Sequence, residues 1–243
     1  MLNIFFKEIN HFFSSLIGYI AVGVFLLITG LFLWVFTDTG ILEYGYATLE
    51  NYFYLAPYIF MFLIPAITMR SFSEEYNSGT IEILGTKPIT DNQIIGGKFL
   101  AALLLVVFAI IPTLLYFFSV YQLGAPVGNI DTGATWGSYI GLLFLGAAFV
   151  AIGIFASSIT TNQIIAFLLA IFLCFFVYIG FDYISRLNIF YASLDALVEQ
   201  LGIDAHYQSI GRGVVDTRDL IYFITLIGLF LFFTKIMLER RKW

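Results

Sequence analysis

Chemistry in this chain would have to come from one polar stretch, Arg70-Ser-Phe-Ser-Glu-Glu-Tyr-Asn-Ser-Gly-Thr-Ile-Glu-Ile-Leu-Gly-Thr-Lys-Pro-Ile-Thr, which continues to Lys98. Adjacent carboxylates such as Glu74 and Glu75 can share a proton or hold a metal when histidines or further carboxylates converge on them. The histidines are His11 and His206. The topology derived below puts them on opposite sides of a membrane, where each reads as a surface or interfacial residue rather than a ligand. Gly97-Lys98 is the one Gly-Lys pair, and a phosphate-cradling loop needs Gly-x-x-x-x-Gly-Lys-Ser/Thr. Here residue 92 is Asn92 and Phe99 follows the lysine. Cys174 lies inside an apolar run and reads as a small core hydrophobe. No catalytic residue, metal or cofactor is therefore expected, and the chain is not expected to be an enzyme.

The elements that carry these residues are set by lipid. Of 243 residues 60% are hydrophobic and 11% charged, against roughly 25% charged in soluble domains, and the mean hydropathy is +0.95. Too little polar surface remains to cover a water-soluble globule. Six apolar stretches stand out: Leu16–Phe36, Tyr52–Met69, Phe99–Val120, Trp136–Ser157, Gln163–Phe181 and Leu220–Leu238. Each approaches the ~20 residues that a helix needs to cross the hydrocarbon. Lys235 alone among acidic and basic residues falls within them, near an end where it can snorkel. The first stretch is longer than a signal-peptide core and has no small-residue cleavage site before Asp38, so it reads as a retained helix.

Basic residues orient the spans. With the N-terminus inside, Lys7, Arg70, Lys87, Lys98, Lys235, Arg240, Arg241 and Lys242 share the cytoplasmic face, leaving Arg186, Arg212 and Arg218 outside. Most acidic residues fall outside, among them Asp38, Glu43, Glu50, Asp131, Asp182, Asp195, Glu199, Asp204, Asp216 and Asp219. Both termini are expected in the cytoplasm. Before the first span, Phe5, Phe6, Ile9, Phe12, Phe13 and Leu16 recur at helical spacing while Lys7, Asn10, His11, Ser14 and Ser15 take the other sides, which predicts an amphipathic interfacial helix over residues 1–15. Leu187, Phe190, Tyr191, Leu194, Leu197, Val198 and Leu201 predict a second such helix outside, closed by Gly202. Pro57, Pro65 and Pro112 can bend spans two and three, either as a gate or as ordinary membrane-helix kinks. Gly137 and Gly141 form a small-xxx-small pair suited to close helix packing.

In the polar stretch, Thr80, Ile81, Ile83 and Leu84 give a partly apolar face after Gly79, and Pro88 ends any helix. A short surface helix carrying Glu74, Glu75 and Glu82 could dock into a groove on a soluble partner; a plain solvated loop fits the same residues. The run E-E-x-x-S-G-T-I-E-I-L-x-T-x-P-I-T with Lys98 opening the next span resembles the signature after span two of ABC-2-type permeases. The resemblance extends to the amphipathic N-terminal helix, six spans, the outer helix and the G-R-G-V-V-D-x-R-D stretch before span six. Within that class the loop is most similar to gliding-motility-associated permease subunits (GldF-type).

The resemblance implies an all-α polytopic membrane protein, with six transmembrane helices, an N-terminal amphipathic helix and a short outer helix between spans five and six. It implies one permease domain over 1–243, with a cytoplasmic coupling loop at 70–98 and an extracytoplasmic segment at 182–219. In such permeases the loop touches the ATPase, and Glu74, Glu75, Gly79, Thr80, Glu82, Leu84 and Pro88 occupy the matching positions. Ser157, Ser158, Asn162 and Gln163 would form a second cytoplasmic contact. Gly85 departs from the family pattern, which has a bulkier or polar residue there. The implied partners are a separate ABC ATPase subunit, a second permease copy or paralogue, an auxiliary membrane protein with a periplasmic domain, and the bilayer of a bacterial inner membrane; no nucleic acid is expected. The implied function is the permease subunit of an exporter linked to gliding motility. A scaffold or mechanotransmission subunit of a motility or secretion complex, without solute transport, is the alternative. An ion-coupled carrier would hold carboxylates or histidines at mid-membrane depth, and these spans have none. Membrane proteases similar in Glu-Glu-x-x-x-Arg also rely on later histidines, whereas residue 79 here is Gly79 and no intramembrane histidine exists.

Overall fold

Backbone groups in hydrocarbon have no water to bond, so each apolar run must satisfy its own amides and carbonyls by coiling. The computed structural model describes residues 1–43, 45–85, 89–186, 192–214 and 216–240, and among these every regular element is helical. The elements are α1 (Leu2–Ser14), α2 (Leu16–Trp34), α3 (Glu50–Thr68), α4 (Ser73–Asn77), α5 (Thr80–Gly85), α6 (Asp91–Ile110), α7 (Leu114–Leu123), α8 (Thr132–Ile159), α9 (Gln163–Phe175), α10 (Phe181–Ser185), α11 (Ala192–Glu199), α12 (Ile203–Gly211) and α13 (Thr217–Arg240). Lys87, Pro88, Leu187, Phe190, Tyr191, Val215, Arg241 and Lys242 lie outside the described residues, as do the side chains of Ile83, Leu84 and Leu194.

Five helical runs are long and apolar enough to cross a bilayer: Glu50–Asn77, Asp91–Leu123, Thr132–Ile159, Gln163–Ser185 and Thr217–Arg240. A sixth results when Leu2–Ser14 and Gly18–Trp34, inclined to each other at 68°, are taken as one bent pair. The protein is thus an all-α, multi-pass membrane protein.

Helix α8 is the central post, packed by α3, α6, α9, α12 and α13. Glycines make this possible by letting neighbours approach its backbone. A Cβ on Gly146 would stand 2.7 Å from Val106 Cγ1 of α6, and one on Gly153 would overlap the Thr68 side chain of α3. Gly137 and Gly141 also serve close packing, but their partner is α12. A Cβ on Gly137 would lie 2.7 Å from the Ile210 carbonyl oxygen, and one on Gly141 would lie 3.4 Å from the Tyr207 and Ile210 side chains. Helix α13 runs beside α8 in the same direction, pairing Phe144 with Phe223 and Phe155 with Phe230. Its opposite side exposes Ile221, Ile224 and Phe232, and α9 exposes Ile164, Leu168 and Phe172. Lipid is the solvent for those faces.

Two of the prolines lie inside a continuous helix and one at a helix break. Pro57 and Pro65 are buried within α3. Pro57 has no N–H, so the Phe53 carbonyl four residues earlier loses its helical donor. The Tyr207 hydroxyl of α12 replaces it, donating to Phe53 O at 2.9 Å. Burial, reinforced by the charge of Asp204, pushes the Tyr207 phenol far above its ordinary range, so it stays protonated and able to donate. Pro112 falls in a single 3₁₀ turn, Ile111–Thr113, that breaks span three between α6 and α7. The break is pinned by its neighbours. Tyr139 of α8 donates to Thr113 O at 2.9 Å, and Tyr52 of α3 donates to the Thr113 hydroxyl at 3.1 Å.

The segment before α13 differs from expectation. Gly202 does not close a helix in a left-handed cap; its φ is −79°, and it precedes a further helix, α12. That helix buries Ile203, Tyr207 and Ile210. His206, expected at a surface or interface, is half-buried and held on three sides. Its Nδ1 lies 2.6 Å from Asp219 Oδ1, its Nε2 lies 2.9 Å from the Gln200 carbonyl, and its ring stacks on Tyr222 at 3.9 Å.

Candidate functional site

At the end of the bundle where α3 finishes and α6 begins, α1 lies against α6. Gly97 permits this: a Cβ there would stand 3.1 Å from Ile4 Cβ and from the Met1 carbonyl. The close approach brings the polar face of α1 over the next residue, Lys98. The Lys98 side chain is 1% exposed, and its ammonium has three donors to place. Nζ lies 2.8 Å from Glu8 Oε1 of α1 and 3.0 Å from Glu75 Oε1 of α4, and it donates to the Ser71 carbonyl at 2.6 Å. The Phe72 ring covers it, with the centroid 5.0 Å from Nζ. Glu75 also accepts from Lys7 at 2.8 Å, and His11 Nε2 stands 4.0 Å from Glu74 Oε2.

Lys98 and Glu75 are thus buried, Glu8 nearly so, and Lys7 closes the group from the solvent side, its own side chain 56% exposed. Burying such charges is tolerable only when each is paired and hydrogen-bonded. The cluster therefore acts as a clamp that fixes α4 against α1 and α6 at once.

A second joint ties α4 to α8. The Ser157 hydroxyl accepts from the Phe72 amide at 2.9 Å and the Ser73 amide at 3.1 Å, and donates to the Met69 carbonyl at 2.9 Å. Ser157 thereby caps the first turn of α4 from a different helix, satisfying amides that a helix start leaves open. Beyond the joints, Gly79 takes φ +70°, a left-handed conformation suited to glycine, and turns the chain from α4 into α5. Asn77, Ser78, Gly79, Thr80 and Glu82 are exposed at this tip.

The expected site residues divide into three sets. Gly79, Thr80 and Glu82 lie on the exposed tip, and Glu74 is partly exposed beside it; Leu84 lies in α5, and Pro88 is outside the described residues. Glu75 is buried in the clamp. Ser157 and Ser158 are also buried, Ser158 donating to Phe155 O at 2.7 Å, while Asn162 is exposed and caps α9 by accepting from the Ile164 amide at 2.8 Å. Gln163, half-buried, opens α9. The structure adds Lys7, Glu8 and Ser71, which sequence reasoning left out. The signal for them was Gly96-Gly97-Lys98: small residues beside a lysine, opposite the Lys7-Glu8 pair of an amphipathic helix.

Among the described residues no group of histidines, cysteines and carboxylates is placed to hold a metal. The arrangement joins the segment beneath the exposed tip to α1, α6 and α8. Residues 2–238 match the family model described as ABC-2 family transporter protein, nearly the entire chain. No curated protein matches it.

Proposed function

Since the chain belongs to the ABC-2 family of transporter proteins, whose permeases work with an ABC ATPase subunit, we propose that the α4–α5 tip is its ATPase-docking surface and the buried clamp its transmission joint. The tip residues Gly79, Thr80 and Glu82, with Glu74 beside them, meet the ATPase. Leu84 and Pro88 complete the matching loop. Asn162 and Gln163 supply the smaller second contact, and Ser157 and Ser158 act from behind it, Ser157 through its bonds to α4.

The observation that carries this reading is the Lys98–Glu75–Glu8 cluster together with the Ser157 joint. A loop that merely connected two spans would need neither. With both, displacement of the tip moves α1, α6 and α8 together. A nucleotide-bound ATPase drives this only if it contacts the two arrangements of the tip with different free energy.

This end of the bundle gathers Lys7, Arg70, Lys98, Lys235 and Arg240, while Arg186, Arg212 and Arg218 lie in the segment at the other end. That asymmetry supports a cytoplasmic position for residues 1–15 and 70–98, and an extracytoplasmic one for 182–219. The setting is a bacterial inner membrane, with two permease subunits, identical or paralogous, around the path. The loop's similarity to gliding-motility permeases supports an exporter in that process, with an auxiliary periplasmic-domain protein as a further partner.

A photo-crosslinking residue at Thr80 tests the docking surface. It should form an adduct with the ATP-binding subunit in native membranes, whereas the same probe at Leu42, exposed near the far end, should not. Adducts only from Leu42, or equally from both, would reject the docking surface.

A further inference from the structure

Beneath the clamp, between α1, the end of α3, α4 and α6, lies an open-mouthed cavity of about 180 Å³. Phe12, Ala66, Ala102 and Leu105 give it an apolar floor, and charges of both signs line its mouth: Lys7, His11 and Arg70 against Glu8, Glu74 and Glu75. Two of these residues keep buried atoms without hydrogen-bond partners, Glu75 Oε2 and Arg70 Nε. Glu75 is 7% exposed.

The two atoms have opposite needs. A carboxylate oxygen can only accept, and a guanidinium N–H can only donate. Leaving either unmatched costs about 1–3 kcal/mol, more for charged groups. One occupant that donates to Glu75 and accepts from Arg70 answers both. Water can meet the polar rim but leaves the apolar floor of Phe12, Ala66, Ala102 and Leu105 without a matching partner. The cavity also lies in the elbow where α1 meets α2, the level at which an amphipathic helix borders lipid head groups.

We propose that this cavity binds the head group of a phospholipid carrying a primary ammonium, of the phosphatidylethanolamine type. Its N–H groups donate to Glu75, its phosphate accepts from Arg70 with Lys7 and His11 nearby, and its first methylenes cover Ala66, Ala102 and Leu105. A choline lipid has a cation without N–H donors, and a glycerol head group has no cation. The bound lipid would complete the partners of Glu75, the residue that already holds Lys7 and Lys98.

The test is native mass spectrometry of the purified chain after exchange into bilayer discs of phosphatidylcholine doped with phosphatidylethanolamine or phosphatidylglycerol. The ethanolamine lipid should be retained about tenfold over either alternative, the ratio expected from one charge-assisted hydrogen bond. Ala66→Leu, which fills the floor without altering a charge, should bring retention of the three lipids to parity, whereas Arg70→Gln, which removes a phosphate contact common to all three, should lower the retention of each; thermal unfolding in pure phosphatidylcholine checks that the variants remain folded. Equal retention of the three lipids by the parent, preference for phosphatidylglycerol, an ethanolamine preference that survives in folded Ala66→Leu, or unchanged retention in folded Arg70→Gln would overturn the proposal. Water at the rim would then be the better account of the two atoms.

Discussion

Lys98→Met should destabilise the folded chain by about 3–5 kcal/mol, the loss expected when one partner of a buried ion pair is removed and the other stays behind. Methionine keeps the length and apolar stem of lysine, so packing under Phe72 changes little and the effect isolates the charge. Glu8 Oε1 and Glu75 Oε1 both lose Nζ, as does the Ser71 carbonyl. Glu75 keeps Lys7 at 2.8 Å. Glu8 is left with Lys7 at 3.9 Å and with partial access to water, its side chain being 17% exposed. The expected cost therefore falls toward the lower end of the range. Lys98→Met with Glu8→Gln should recover part of the loss, because the stranded charge is gone. Equilibrium unfolding in detergent, followed by helix content, measures both. Parent-like stability of Lys98→Met would show that the clamp contributes little. Under the proposed role, ATP turnover by the assembled complex should also decouple from transport in whatever fraction of the variant stays folded.

Tyr207→Phe should cost about 1–3 kcal/mol, the price of an unmet buried acceptor. The lost hydroxyl is the donor to Phe53 O, and Pro57 prevents the helix from supplying its own. The dependence can be read directly. In a Pro57→Ala background residue 57 regains an N–H, so the same Tyr207→Phe change should cost much less. A double-mutant cycle on unfolding midpoints gives the coupling. Equal costs in the two backgrounds would mean that Tyr207 acts through packing against Gly141 instead.

That pair shows what was legible in the residues and what was not. The lengths and positions of the apolar runs are local properties: five of the six expected stretches lie inside helical runs, and the first, Leu16–Phe36, runs two residues past the end of α2 at Trp34. Pro57 announced a missing donor, but its substitute lies 154 positions later in the chain, and nothing local to either residue joins them. Helix α12 escaped notice because its apolar residues, Ile203, Tyr207 and Ile210, are few and spaced among polar ones; only the glycine face of α8 makes that sufficient for burial. The exposed tip around Gly79 and Glu82 was readable from its polarity. Direction was not. Ser157 and Glu75 were expected among outward contacts by residue type and position, and the bundle turns both inward, where they hold α4 in place. Gly97-Lys98 lacks the rest of a nucleotide loop, and its place beneath α1 depends on Ile4, 93 positions earlier in the chain, packing against Gly97.

The claim that most needs testing is that this permease is driven through the α4–α5 tip. The tagged chain should be affinity-purified from its native membrane in mild detergent, alongside Glu82→Lys, which reverses an exposed charge and leaves the buried clamp untouched. An ABC ATPase subunit should accompany the parent and be largely lost with the variant, while both chains are recovered equally and stay folded. Recovery of the ATPase with Glu82→Lys at the parent level would contradict the docking surface. Its absence from the parent, under conditions that keep other membrane complexes intact, would contradict the ATP-driven permease and leave the scaffold in its place.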